Sequence, residues 1–146
     1  MLERVVASAE SLAPHRIHVI YNEAVPQVKD KLSHLNVNWV VQKEARGTGH
    51  ALAQALPHIP DSHHVISLNG DAPLLKSETL QRLLDNSPEN GLGIVITHLD
   101  NPKGYGRILR DDVGNVVDIV EENALLTFKK QFKMYTPAFA QLKPSI

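Results

Sequence analysis

Short apolar runs alternate along this chain with stretches of helical periodicity, and that alternation confines it to a small set of folds. Arg16 to Asn22, Val37 to Gln42, His63 to Leu68 and Gly93 to Leu99 read as strands. Before the first of them, Leu2, Val5, Val6, Ala9, Leu12 and Ala13 follow helical spacing until Pro14 ends the pattern. Between them, Val25, Val28 and Leu32 repeat the spacing, with Pro26 tolerated in a first turn. Helices are also expected over Thr48 to Leu56 and from a Ser77 cap to about Leu84, with Leu80, Leu83 and Leu84 facing inward. Strands alternating with helices imply a parallel α/β sheet. Late in the chain, Asp111-Asp112-Val113-Gly114-Asn115 is a hairpin-type turn leading into a strand over Val116–Val120. Beyond about Leu125 no pattern is readable.

Composition narrows the function class. Fifteen basic and sixteen acidic residues are mixed along the chain, for a formal net charge of -1. That balance gives no general attraction for nucleic acid or an anionic membrane. There is no cysteine, so disulfide and thiolate chemistry are excluded. No apolar run is long enough to span a bilayer, and Met1 to Ser8 lacks the apolar core of a signal peptide. A cytoplasmic location is the expectation, and 146 residues suit one domain.

Chemistry-bearing residues cluster just after the apolar runs, where open α/β sheets bind ligands. Asp71 follows Gly70 at a strand end, and its carboxylate suits a hard cation such as Mg²⁺. The plainer reading, a Gly-Asp turn, has equal weight. Gly47-Thr48-Gly49 opens a helix, with Thr48 suited to the cap position and free N–H groups that favour anions or carbonyl oxygens. Gln42 ends the preceding strand with a donor and an acceptor that match a pyrimidine imide edge, or simply a solvated strand end. The eight histidines show no zinc-site spacing, and His50 reads as packing near a helix start.

Taken in order, the pieces are more specific than any one of them. Gln42, then Gly47-Thr48-Gly49-His50-Ala51, Asn69-Gly70-Asp71-Ala72-Pro73-Leu74, Gly104-Tyr105-Gly106-Arg107-Ile108 and Ile119-Val120-Glu121-Glu122 closely resemble one family. It is the uridylyltransferase domain of the bifunctional N-acetylglucosamine-1-phosphate uridyltransferase/glucosamine-1-phosphate acetyltransferases, and the resemblance runs from about Leu2 to Glu122. It implies a Rossmann-like nucleotidyltransferase sheet of the GT-A type, mostly parallel. The implied reaction joins UTP and N-acetylglucosamine 1-phosphate into UDP-N-acetylglucosamine and pyrophosphate. By motif position, Gln42, Gly47 and Thr48 would hold the uracil, Gly70 would lie beside the nucleotide and Asp71 would bind Mg²⁺. Gly106 and Glu121 would contact the amino sugar.

Departures from the family pattern shape the remaining expectations. Residues 1–146 align beyond the family's first strand and Gly-rich phosphate loop, so the sheet is expected to lack both. Asn22-Glu23-Ala24-Val25 replaces a glycine-rich turn, and Asn69 stands where a tyrosine is usual. Residues 123–146 are expected to be a divergent tail, with no β-helical acetyltransferase domain expected within the chain. The whole chain is thus expected to be one partial nucleotidyltransferase domain, inactive in isolation because preorganised phosphate donors are worth ~10²–10³ each in rate. Three alternatives are another sugar-phosphate nucleotidyltransferase, a non-catalytic binding or interaction protein that keeps a weak nucleotide pocket or pairs its open sheet edge with a partner or a second copy, and a remnant with no function.

Overall fold

The computed structural model describes residues 1–89 and 91–120 and the backbone of 139–140. The chain separates into two compact units, residues 1–89 and residues 90–144.

The first unit opens with α1 (Leu2–Glu10), which buries Val5 and Val6. Its last carbonyls are taken up by the N–H groups of Ser11, Leu12 and Ala13, and Ala13 adopts a left-handed φ of 49° that turns the chain. Strand β1 (His18–Asn22) follows, then the one-turn helix α2 (Gln27–Lys31) and β2 (Asn38–Gln42). β1 and β2 pair in parallel from His18 opposite Asn38 to Asn22 opposite Gln42. Tyr21 and Trp39 meet edge-on at 5.9 Å across this ladder. Helix α3 (Thr48–Ala55) packs on both strands, a 3-10 turn (Leu56–His58) extends it, and α4 (Ser77–Asn86) packs on α1. The buried apolar residues Val19, Val40, Ala55 and Leu80 come one each from β1, β2, α3 and α4. Two expected caps move by one residue: Gly47 and Lys76 hold the cap positions, while Thr48 and Ser77 are the first helical residues.

His63 to Leu68, expected as a strand, joins no ladder among the described residues. Val65 is 47% exposed, and Ile66 and Leu68 are half-buried. The reason is local. Strand geometry is stabilised by a hydrogen-bonded neighbour and by cross-strand side-chain pairs, and this segment has neither among the described residues. Between it and β1 lies a cleft of about 740 Å³, closed on its other sides by α1 and α3. A dry apolar void of that size would cost on the order of 18 kcal/mol at ~24 cal/mol per Å³. That exceeds the whole stability of an ordinary domain, so the cleft is open to solvent rather than an empty core.

The second unit is antiparallel. β4 (Arg107–Arg110) and β5 (Val116–Val120) form the expected hairpin, with an irregularity between Leu109 and Arg110. Asp111 organises the turn: its carboxylate accepts the N–H groups of Val113 and Asn115 and the Asn115 side-chain amide. Those bonds, the Asn115 side chain first, hold its pKa below the usual carboxylate value. Gly114 supplies the left-handed φ of 92°. Of the expected strand over Gly93–Leu99, only β3 (Thr97–His98) forms, next to β6 (Phe139–Ala140), in a sheet ordered β3-β6-β4-β5. Among the described residues no helix is long and apolar enough to cross a membrane.

Candidate functional site

Parallel pairing delivers the last side chain of β2, Gln42, to the carboxyl end of the strand pair, where it is 9% exposed. Its amide is occupied. Nε2 donates to the Gly47 carbonyl at 3.1 Å and meets Nδ1 of His50 at 3.0 Å. For the second contact to be a hydrogen bond Nδ1 must accept, which puts the ring proton on Nε2. Gln54, one turn further along α3, donates to the His50 carbonyl at 3.1 Å and lies 3.3 Å from the ring Nε2. Gln42 therefore has both N–H groups engaged inside the protein and presents its Oε1 as the remaining acceptor.

Gly47 makes this corner possible. Its φ of 92° with ψ of -178° belongs to a region almost exclusive to glycine. From that conformation its carbonyl receives both Gln42 and the Ala51 N–H, at 3.1 Å each. Thr48 then starts α3, half-buried, and lines the same cleft that Gly70 lines from the opposite wall. In the preceding loop Arg46 pairs with Glu44 at 2.6 Å, both well exposed.

Gly70 and Asp71 sit in a turn closed by the Ala72 N–H on the Asn69 carbonyl. Both are exposed. A side chain added at Gly70 would meet the Leu2 Cδ1 at 3.6 Å, an ordinary contact, so glycine is not sterically required there. No three His, Asp or Glu side chains among the described residues converge on a metal position. Asp71 thus offers one hard oxygen donor, which fits Mg²⁺ in the mode where phosphates and water complete the shell.

Of the expected site residues, the structure ties Gln42, Gly47 and Thr48 into one corner and places Gly70 on the same cleft. Asp71 follows in sequence. Gly106 is buried just ahead of β4 in the second unit, its carbonyl 3.5 Å from the Arg107 guanidinium, which also bonds the Tyr105 carbonyl. Glu121 lies outside the described residues.

Sequence reasoning passed over the His50–Gln54 pair, although its i,i+4 spacing on a helix was a readable signal. It also missed a histidine group at the other end of the cleft. His15 and His63 lie 5.0 Å apart, and His18 stacks on His58 at 6.1 Å. The His18 Nδ1 is buried without a hydrogen-bond partner. Burial first, then His58 and Arg16, hold its pKa below the ordinary value of 6.5.

Polar groups at the carboxyl end of a parallel strand pair, beside a glycine-opened helix, fit a Rossmann-like domain. Comparison with known sequences makes the class specific. Residues 1–129 match the MobA-like NTP transferase domain, and the chain belongs to that family. It is 49% identical over 121 residues to the bifunctional protein GlmU of Coxiella burnetii (strain RSA 493 / Nine Mile phase I), covering 83% of this chain and 27% of the relative. It is 45% identical over 127 residues to the bifunctional protein GlmU of Legionella pneumophila (strain Philadelphia 1), covering 84% of this chain and 28% of that protein. The chain thus spans about a quarter of the length of these curated relatives.

Proposed function

We propose that residues 1–146 carry the nucleotide-binding part of a sugar-1-phosphate uridylyltransferase, whose reaction makes UDP-N-acetylglucosamine and pyrophosphate from UTP and N-acetylglucosamine 1-phosphate. The observation that supports it is the Gln42 carboxamide, fixed at the strand end with Oε1 as its remaining acceptor. Uracil presents an N3–H donor at the centre of its pairing edge, which Oε1 accepts. Cytosine presents a bare N3 acceptor there, and two facing acceptors leave a buried group unsatisfied. That mismatch costs about 1–3 kcal/mol, or roughly 5- to 150-fold in affinity. Gly47 and Thr48 flank the base, Gly70 lies beside the nucleotide, and Asp71 holds Mg²⁺, which would supply charge neutralisation on the phosphates. Gly106 and Glu121 are assigned to the amino sugar on the family resemblance.

The same residues suggest binding without appreciable turnover by these 146 residues alone. Nucleotidyl transfer relies on positioning and charge neutralisation. Asp71, the candidate metal ligand, stands in a separate exposed turn, and Arg46 of the loop before α3 pairs with Glu44.

Thermal melts with UTP, CTP and ATP, each with and without Mg²⁺, test the reading. UTP with Mg²⁺ should raise Tm most, because a ligand stabilises only the state it binds. No shift, or equal shifts for all three, would sink the base assignment. Preference for another nucleotide would favour a different sugar-phosphate nucleotidyltransferase. Pyrophosphate release that scales with purified protein would overturn the expected lack of turnover.

A further inference from the structure

Base choice at the strand end turns on which end of the Gln42 carboxamide faces outward. Two acceptors hold its Nε2 inward, the Gly47 carbonyl at 3.1 Å and Nδ1 of His50 at 3.0 Å. Inverting the carboxamide would set Oε1 against the Gly47 carbonyl, oxygen facing oxygen, in a residue only 9% exposed. The carbonyl can only accept. The imidazole can change role, because its proton resides on either ring nitrogen: a bare Nδ1 accepts from Gln42, whereas Nδ1–H would call for an oxygen. His50 is thus the member of the corner able to support either orientation. Gln54 competes for the same ring. Its Nε2 donates to the His50 carbonyl at 3.1 Å and stands 3.3 Å from the ring Nε2. Two amide nitrogens face the two nitrogens of one imidazole, and a neutral ring has one acceptor to offer. The Nε2–H tautomer serves Gln42 at the shorter contact, and Gln54 keeps the backbone carbonyl as its partner.

We propose that His50 is a positioning residue for base selection: held as the Nε2–H tautomer, it keeps the Gln42 Oε1 towards the base and so favours a base with an N3–H over one with a bare N3. The inference rests on Gln42 as the base contact and goes beyond it, since it assigns part of the selection to a ring that acts through Gln42. The helix supplies the rigidity. His50 lies in the first turn of α3 and Gln54 one turn on, so both side chains are tied to the element that packs on β2. Removing Nδ1 leaves the Gly47 carbonyl to oppose inversion, and an inverted carboxamide offers an N–H that suits a bare N3. The preference for uracil over cytosine should then fall roughly fivefold, the worth of one ordinary hydrogen bond.

The test uses the full chain as wild type, His50→Leu and His50→Asn, whose Oδ1 stands as many bonds from the backbone as Nδ1 and accepts in its place. Kd for UTP and for CTP, both with Mg²⁺, gives a preference ratio for each protein. Wild type and His50→Asn should share one ratio, and His50→Leu should lower it roughly fivefold. A ratio unchanged in His50→Leu would overturn the inference and leave the Gln42 reading standing. Equal losses in both variants would overturn it too, by making the ring a packing element. No UTP preference in wild type would sink the Gln42 reading and the inference with it. The nucleotide-free wild type supplies a second readout that misfolding of a variant cannot obscure. The ¹⁵N shifts of the His50 ring, correlated to its backbone, should show a bare Nδ1 and a protonated Nε2. A protonated Nδ1 at neutral pH would overturn the proposal.

Discussion

Two segments of the first unit, Gln42 to Thr48 and Leu68 to Asp71, have similar sequence credentials. Each follows an apolar run, contains a glycine and ends in polar groups. The first is a tied corner: Gln42 is buried, its strand is paired and three internal contacts hold the loop to α3. The second is an exposed turn after an unpaired stretch. The difference teaches that a strand-end group is preorganised only when its strand has a neighbour. A strand's position is fixed by its ladder and not by its own composition.

That contrast can be broken by experiment, most forcefully in the core. Leu80→Ala, at a fully buried position, should cost about 2–5 kcal/mol. Leu68→Ala should cost under about 1 kcal/mol, because its side chain is only half withdrawn from water. Equal losses in urea melts would mean that residues 64–69 are packed as firmly as α4.

The glycines give the next comparison. Gly47→Ala forces a Cβ into a glycine-only region and should cost about 1–3 kcal/mol. Gly70→Ala meets only an ordinary contact and should stay within about 0.5 kcal/mol. A Gly70→Ala loss as large as that of Gly47→Ala would show that the turn is held more tightly than its exposure implies.

Two polar substitutions should separate stability from binding. Gln42→Leu removes both donors of the corner and should cost about 1–2 kcal/mol while abolishing any UTP-induced rise in Tm. Asp71→Asn should leave stability within about 0.5 kcal/mol and remove only the Mg²⁺-dependent part of that rise. If Asp71→Asn instead lowers Tm without ligand, the exposed turn has a structural role.

The smallest expected effect is a pH dependence. His18 has a folded pKa below 6.5, so the unfolded chain binds more protons as pH falls through that range. Its contribution is complete above about pH 6.5 and is lost as the solution is acidified. Tm should therefore fall between pH 7 and pH 5.5 with a slope that His18→Asn reduces. An unchanged slope would show that the burial of His18 does not set the pH dependence.

How much of this was legible beforehand varies with the range of the interaction concerned. The helices, β1 and β2, and the β4–β5 hairpin follow from periodicity and turn chemistry, because those patterns depend on residues close in sequence. Gln42 and the Gly47-Thr48 entry were likewise visible, since each sits where an apolar run stops. Tertiary structure alone decided that Gln42 spends its donors on Gly47 and His50, and that five histidines and two helices enclose one cleft. It also decided that His63 to Leu68 joins no ladder among the described residues, despite an apolar sequence that suits a strand. The physical reason is that side-chain pattern records which face a residue prefers, whereas hydrogen-bond partners and ladder neighbours come from segments distant in the chain.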